Sequence, residues 1–118
     1  MPESEPNQNV PAVPGFTCVI RREPSRVVVS VVGDIDIETA PTLQEALSDA
    51  TTRRTNRVVA DFTDVRFIDS SGVQALLAAQ QAAADIGIAI AVHGSRPNVA
   101  LVFELLGLTD QLVFESAW

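Results

Sequence analysis

The apolar positions of this chain follow two different periods, and the alternation between them sets out its elements. Phe16–Arg22 and Arg26–Gly33 are β-branched runs on either side of Glu23-Pro24-Ser25, which suits an antiparallel hairpin. Leu43, Ala46, Leu47 and Ala50 then recur at helical spacing. Two starts fit that helix. Thr39 caps it with Pro41 in the first turn, or Thr42 caps it with Glu45 completing a capping box. Arg53 and Arg54 follow its end, where cations suit the negative pole of the helix dipole. Val58–Phe62 reads as a short buried strand and Thr63–Ser70 as a loop. A second helix is expected over Ser71–Asp85, with Val73, Leu76, Leu77 and Gln80 on one face and Gly87 just past its end. Ile88–Val92 is a further strand. Pro97 opens a third helix carrying Val99, Val102, Phe103 and Leu106, Gly107 stops it, and Leu112–Phe114 is a last short strand. Residues 1–15 hold four of the seven prolines and no clear period, so a disordered lead-in is expected there, with one domain over 16–118.

The order β-β-α-β-α-β-α-β predicts an α/β fold. Strands joined by crossover helices run parallel, while the opening hairpin contributes an antiparallel edge. The result is an open mixed sheet with helices packed on it.

Composition narrows the chemistry. The 118 residues are 47% hydrophobic, enough for one real core, and that core must be mostly aliphatic because only five Phe and one Trp are present. The formal net charge is −7 and every cation is an arginine. Such acidity disfavours nucleic acid and anionic membrane as main partners. One Cys and one His exclude a disulfide framework and a Cys/His zinc site. Cys18 lies in an apolar run and reads as a buried, inert thiol. The acidic, Pro-rich start differs from a secretory signal, so a cytoplasmic protein is expected.

The informative stretch is Asp61-Phe62-Thr63-Asp64-Val65-Arg66-Phe67-Ile68-Asp69-Ser70-Ser71-Gly72-Val73-Gln74. A strand ends, an acidic segment follows, and two serines open a helix, at the sheet end where ligands of parallel sheets bind. Ser71 and Gln74 have the spacing of a capping box, so Ser71 has a purely structural explanation. A serine at a helix mouth is also a place where an added phosphate meets unsatisfied N–H groups. Other arrangements carry less. Asp34-x-Asp36 lacks the rest of a phosphate-transfer site, and the acidic set Asp34, Asp36, Asp61, Asp64 and Asp69 reads as a solvated face rather than a metal site. His93 near the serines lacks a nucleophile elbow, so a hydrolase is not expected. Arg53, Arg54 and Arg57 read as solvation of a helix end and a strand start. Leu101, Leu105 and Leu108 lie off the third helix's main stripe and would form an apolar patch. A partner, a second copy or the N-terminal segment would each suit it.

The Asp69-Ser70-Ser71-Gly72-Val73 stretch resembles the signature of the STAS domain family, in particular its stand-alone anti-sigma factor antagonists. Gly33-Asp34-Ile35-Asp36 followed by Thr39-Ala40, the Phe103 to Gly107-Leu108 segment and the element order are similar to the family as well. The resemblance implies a partner-switching regulator and not an enzyme, with no cofactor and no metal. Its partner would be an anti-sigma factor with serine kinase activity. That partner would be bound by the unmodified protein and released when Ser71, or secondarily Ser70, is phosphorylated. A serine phosphatase would restore binding. By position, Asp34, Asp36, Thr39, Asp69, Ser70, Ser71, Gly72 and Val73 would form the partner surface, and a weak homodimer is compatible with it. The alternative within the family is an accessory subunit of a membrane transport ATPase complex, without the phosphoswitch. Family members often carry a further C-terminal helix. Only four residues follow Phe114, so the surface it would cover, Trp118 included, is expected to be exposed.

Overall fold

A computed structural model describes residues 4–6, as backbone, and 13–115. Its elements are β1 (Ser4–Pro6), β2 (Thr17–Arg22), β3 (Val27–Ile35), α1 (Ala40–Ala50), β4 (Arg57–Ile68), α2 (Ser70–Asp85), β5 (Ala89–His93), α3 (Pro97–Leu105) and β6 (Val113–Glu115). They form one sheet in the order β1-β2-β3-β4-β5-β6. β1–β2 and β2–β3 are antiparallel and the remaining pairs are parallel. The mixed sheet and its helices match the expected fold class. Among the described residues, no helix is long and apolar enough to cross a membrane.

One strand was not foreseen. Ser4–Pro6 pairs with Val19–Arg21 inside the expected disordered lead-in. Residues 1–3 and 7–12 of that segment, and Trp118, lie outside the described residues.

The core is the aliphatic one the composition calls for. Ile20, Val29, Ile35, Leu43, Leu47, Phe62, Leu76 and Phe103 are buried in one cluster that joins the sheet to all three helices. Three consecutive crossovers, β3-α1-β4, β4-α2-β5 and β5-α3-β6, step the same way along the sheet. Of these helices, α1 and α2 pack against each other, while α3 packs against β4. Val28, Val59 and Ala91 lie opposite one another across β3, β4 and β5 and are buried outside that cluster. Arg26 and Arg57 both ion-pair with Glu115, itself mostly buried. Cys18 is buried, and desolvation pushes its thiol up to about 12, so it stays protonated at neutral pH.

The main correction concerns residues 63–68, expected as loop and found as strand. β4 carries one extra residue between the Ser30↔Asp61 and Val32↔Asp64 pairs and another between Gly33↔Val65 and Asp34↔Phe67. Each bulge breaks the two-residue alternation that marks a strand. The buried positions become Phe62, Val65 and Ile68, three apart, and the period-two signal disappears. Gly33 sits beside this irregularity with φ +114, and a Cβ there would lie 2.3 Å from the Gly15 carbonyl oxygen. The side-chain expectation for the third helix also changes. Leu101 and Leu105 are exposed, but Leu108 turns inward past the helix end and is buried.

Candidate functional site

The carboxyl ends of β3 and β4 lie side by side, with Ile35 opposite Ile68, and each runs into a helix. Two helix mouths therefore stand next to each other. The backbone N–H of Asp69 donates to the Ile35 carbonyl at 3.1 Å and ties the two strand exits together. Gly72, in the first turn of α2, is pressed against the same residues. A Cβ there would lie 2.5 Å from Ile35 Cγ2 and 2.7 Å from Ile68 Cγ1. The glycine lets the mouth of α2 settle onto the strand ends, and Val73 behind it is buried in the core.

At the mouth of α1, Asp36 and Thr39 close a tight turn. Asp36 Oδ1 accepts from the N–H groups of Glu38 at 2.9 Å and Thr39 at 3.1 Å. Thr39 Oγ1 accepts from Asp36 N–H at 2.9 Å and donates to the Asp34 carbonyl at 2.7 Å. Thr39 is only 4% exposed. Of the two starts considered for this helix, the structure takes the one capped at Thr39 with Pro41 in the first turn. Its hydroxyl braces the turn rather than bonding helix N–H groups.

The mouth of α2 is built differently, and the capping box expected at Ser71 is not formed. The cap is Asp69, whose Oδ1 accepts from Ser71 N–H at 2.9 Å and Gly72 N–H at 3.2 Å. Both residues have the acceptor oxygen a cap requires, and the chain places the helix start one residue earlier than expected, at Ser70. Val73 N–H donates to the Asp69 carbonyl. Ser70 is exposed and Ser71 partly buried, and neither hydroxyl makes a hydrogen bond among the described residues. The expectation that a phosphate on Ser71 would find empty amide groups is corrected accordingly. Asp69 already holds those of Ser71 and Gly72, so the phosphate would sit beside a carboxylate.

Around the two mouths the surface is acidic and apolar at once. Arg66 reaches Asp34 at 3.3 Å and Arg96 reaches Asp64 at 3.9 Å, both pairs exposed. Ile37, on the turn between β3 and α1, is 76% exposed, and Phe67, on β4, is 47% exposed. These two were absent from the predicted partner surface. Ile37 carried a signal, being an apolar residue inside an acidic turn, whereas Phe67 was hidden by the bulged register. The predicted residues, Asp34, Asp36, Thr39, Asp69, Ser70, Ser71, Gly72 and Val73, belong to the two adjoining mouths. Thr39 and Val73 are too buried to touch a partner, and Gly72 serves packing. His93 has its Nδ1 2.7 Å from the Glu115 carbonyl oxygen, at the β5–β6 side. Among the described residues no group of His, Cys, Asp and Glu side chains is arranged to hold a metal ion.

Comparison with known proteins meets this geometry from outside. An anti-sigma-B factor antagonist of Listeria monocytogenes is 27% identical over 89 residues, which cover 75% of this chain and 78% of that protein. A crystal structure of an anti-sigma factor antagonist from Mycobacterium paratuberculosis superposes with a TM-score of 0.73 at 24% identity, covering 90% of this chain and 91% of that one. Bacillus SpoIIAA in its phosphorylated form gives a TM-score of 0.62 at 19% identity, with 84% and 91% covered. At these identities the structures establish the fold. Residues 18–114 match the family described as Mlab, STAS domain, and the chain belongs to the STAS domain family.

Proposed function

We propose that this chain is an anti-sigma factor antagonist whose docking surface is the paired helix mouths, switched by phosphorylation of Ser71. It acts as a binding module and not as an enzyme. Its partner is an anti-sigma factor that is also the serine kinase, and a serine phosphatase reverses the modification. One observation carries the reading: among the described residues Ser71 holds a hydroxyl without a hydrogen bond at the α2 mouth, next to exposed Ser70, on a surface with exposed Ile37 and Phe67.

The switch follows from charge and desolvation. The unmodified surface offers exposed Ile37 and Phe67 to an apolar contact, which needs no charge on the partner. Phosphorylation adds about −1.5 to −2 charges. Because Asp69 occupies the nearby amide groups, that charge is not absorbed by the helix end and projects to solvent. Burying it against a partner without matching cations costs several kcal/mol. Each ~1.4 kcal/mol is tenfold in affinity, so a loss of about a hundredfold or more follows. Asp69 still caps α2 whether or not Ser71 is modified, so the fold is largely indifferent.

The test uses the purified chain, its anti-sigma kinase and ATP. Intact mass is expected to rise by one phosphate in the parent and not in Ser71→Ala. Ser71→Glu is expected to lose the partner in a pull-down that Ser71→Ala passes. Equal binding by Ser71→Glu and parent would overturn the charge argument. Association with a transport ATPase, insensitive to both serines, would replace this reading by the transport one.

A further inference from the structure

The opposite end of the sheet holds a cleft of about 550 Å³ between the β2–β3 hairpin and the turn from α1 to β4. Arg22, Ser25, Arg54 and Asn56 contribute polar side chains to it, over a floor that includes buried Val27. Of the eight cations, Arg21, Arg26, Arg53, Arg57, Arg66 and Arg96 each face a carboxylate. The remaining two, Arg22 and Arg54, have no acidic partner among the described residues, and both line this one cleft. Ser25 and Asn56 likewise make no side-chain hydrogen bond there. The cleft's own carboxylate, Glu23, is spoken for. It accepts from Arg26 at 2.7 Å and from Arg21 at 2.9 Å, and these guanidiniums hold its pKa below the usual glutamate value.

A second observation is independent of charge. Arg54 is the non-glycine residue with positive φ among the described residues, at +55°. In an exposed turn this left-handed conformation costs a side-chain residue energy that glycine would not spend. Among the described residues the Arg54 guanidinium contacts no carboxylate, so no ion pair there offsets that cost.

We propose that this cleft is a second ligand site, which binds a small free polyanion of the diphosphate class between Arg22 and Arg54. Guanidinium forks match phosphoryl oxygens two at a time, and the Ser25 hydroxyl and Asn56 amide add neutral donors. The surrounding acidity confines anion binding to this spot. A cleft of about 550 Å³ between one hairpin and one turn is the size of a compact ligand. The site lies at the far end of β3 from Ser71, so it is separate from the proposed docking surface.

Inorganic pyrophosphate is the probe, titrated into ¹⁵N-labelled protein at constant ionic strength set with NaCl. Saturable amide shifts are expected at residues 22–27 and 54–56, with a Kd on the order of 1 mM. Arg22→Ala combined with Arg54→Gly is expected to weaken binding at least about tenfold. Arg54→Gly alone is expected to weaken binding while keeping or raising the melting temperature, since it removes strain. That opposition separates ligand binding from a structural role. Linear shifts equal to those of NaCl, shifts spread over the whole surface, or unchanged affinity in the double variant would overturn the proposal. So would a phosphoserine peptide that binds the cleft more tightly than pyrophosphate.

Discussion

The two helix mouths at the carboxyl end of the sheet contain the same ingredients and use them in opposite ways. Each has an aspartate followed within three residues by a hydroxyl. At α1 the hydroxyl of Thr39 is buried and takes both roles, donor to Asp34 and acceptor from Asp36. At α2 the aspartate does the capping, and the hydroxyls of Ser70 and Ser71 are left without a bond among the described residues. A hydroxyl consumed by its own turn is structural. A hydroxyl that the fold does not use is the one proposed above as the phosphate acceptor. The difference is decided by which atom satisfies the first helix amides.

Substitutions at the two mouths break or sharpen that contrast. Thr39→Val removes a buried donor and acceptor and strands their partners, so it is expected to cost about 2 kcal/mol in chemical denaturation. Gly72→Ala comes next. Alanine favours a helix over glycine by roughly 1 kcal/mol, but overpacking costs about 1–3 kcal/mol. The nearest atoms at 2.5 and 2.7 Å are branched isoleucine carbons with little room to move, so overpacking wins and a net loss of about 1 kcal/mol is expected. Asp69→Ala should cost about 1 kcal/mol as the lost cap of α2. Ser71→Ala should change stability by less than about 0.5 kcal/mol. If Ser71→Ala proved as damaging as Thr39→Val, the contrast between the two mouths would fail.

The smallest effect is at the other end of the sheet and serves as a control. Glu23 has its pKa lowered first by its hydrogen bond from Arg26 and then by that from Arg21. A carboxylate held below its unfolded value stabilises the fold at neutral pH, and this contribution is lost as pH falls through the folded value. Glu23→Gln should therefore cost a few tenths of a kcal/mol at pH 7, the scale of exposed pairs, and nothing in strong acid. A pH titration of parent and variant melting curves reads this directly.

Much of this was legible in the chain, for definite reasons. The aliphatic runs and the helical spacings of Leu43–Ala50 and Val73–Leu77 follow from burial on one face, which is strong for an α/β sheet. The Thr39 start was readable because Pro41 tolerates the first turn. Residues 63–68 were not, because two bulges replace alternation by a three-residue spacing that no simple period describes. The cap at Asp69 was missed because Ser71-x-x-Gln74 offers an equally good local pattern, and the choice is made by the Asp69 amide bonding Ile35 across strands. β1 was hidden in a Pro-rich segment, since its pairing is an edge event with no apolar pattern of its own. Leu108 could not be assigned from the helix period because it lies beyond the helix end.

The central claim is that a phosphate on Ser71 changes what the protein binds and leaves what it folds into. The direct measurement compares fully phosphorylated and unmodified protein from one preparation, taking melting temperature and affinity for the anti-sigma factor side by side. The account predicts a melting temperature within about 4 °C and a Kd raised about a hundredfold or more. A collapse of the melting temperature, or an affinity altered by less than about threefold, would contradict it.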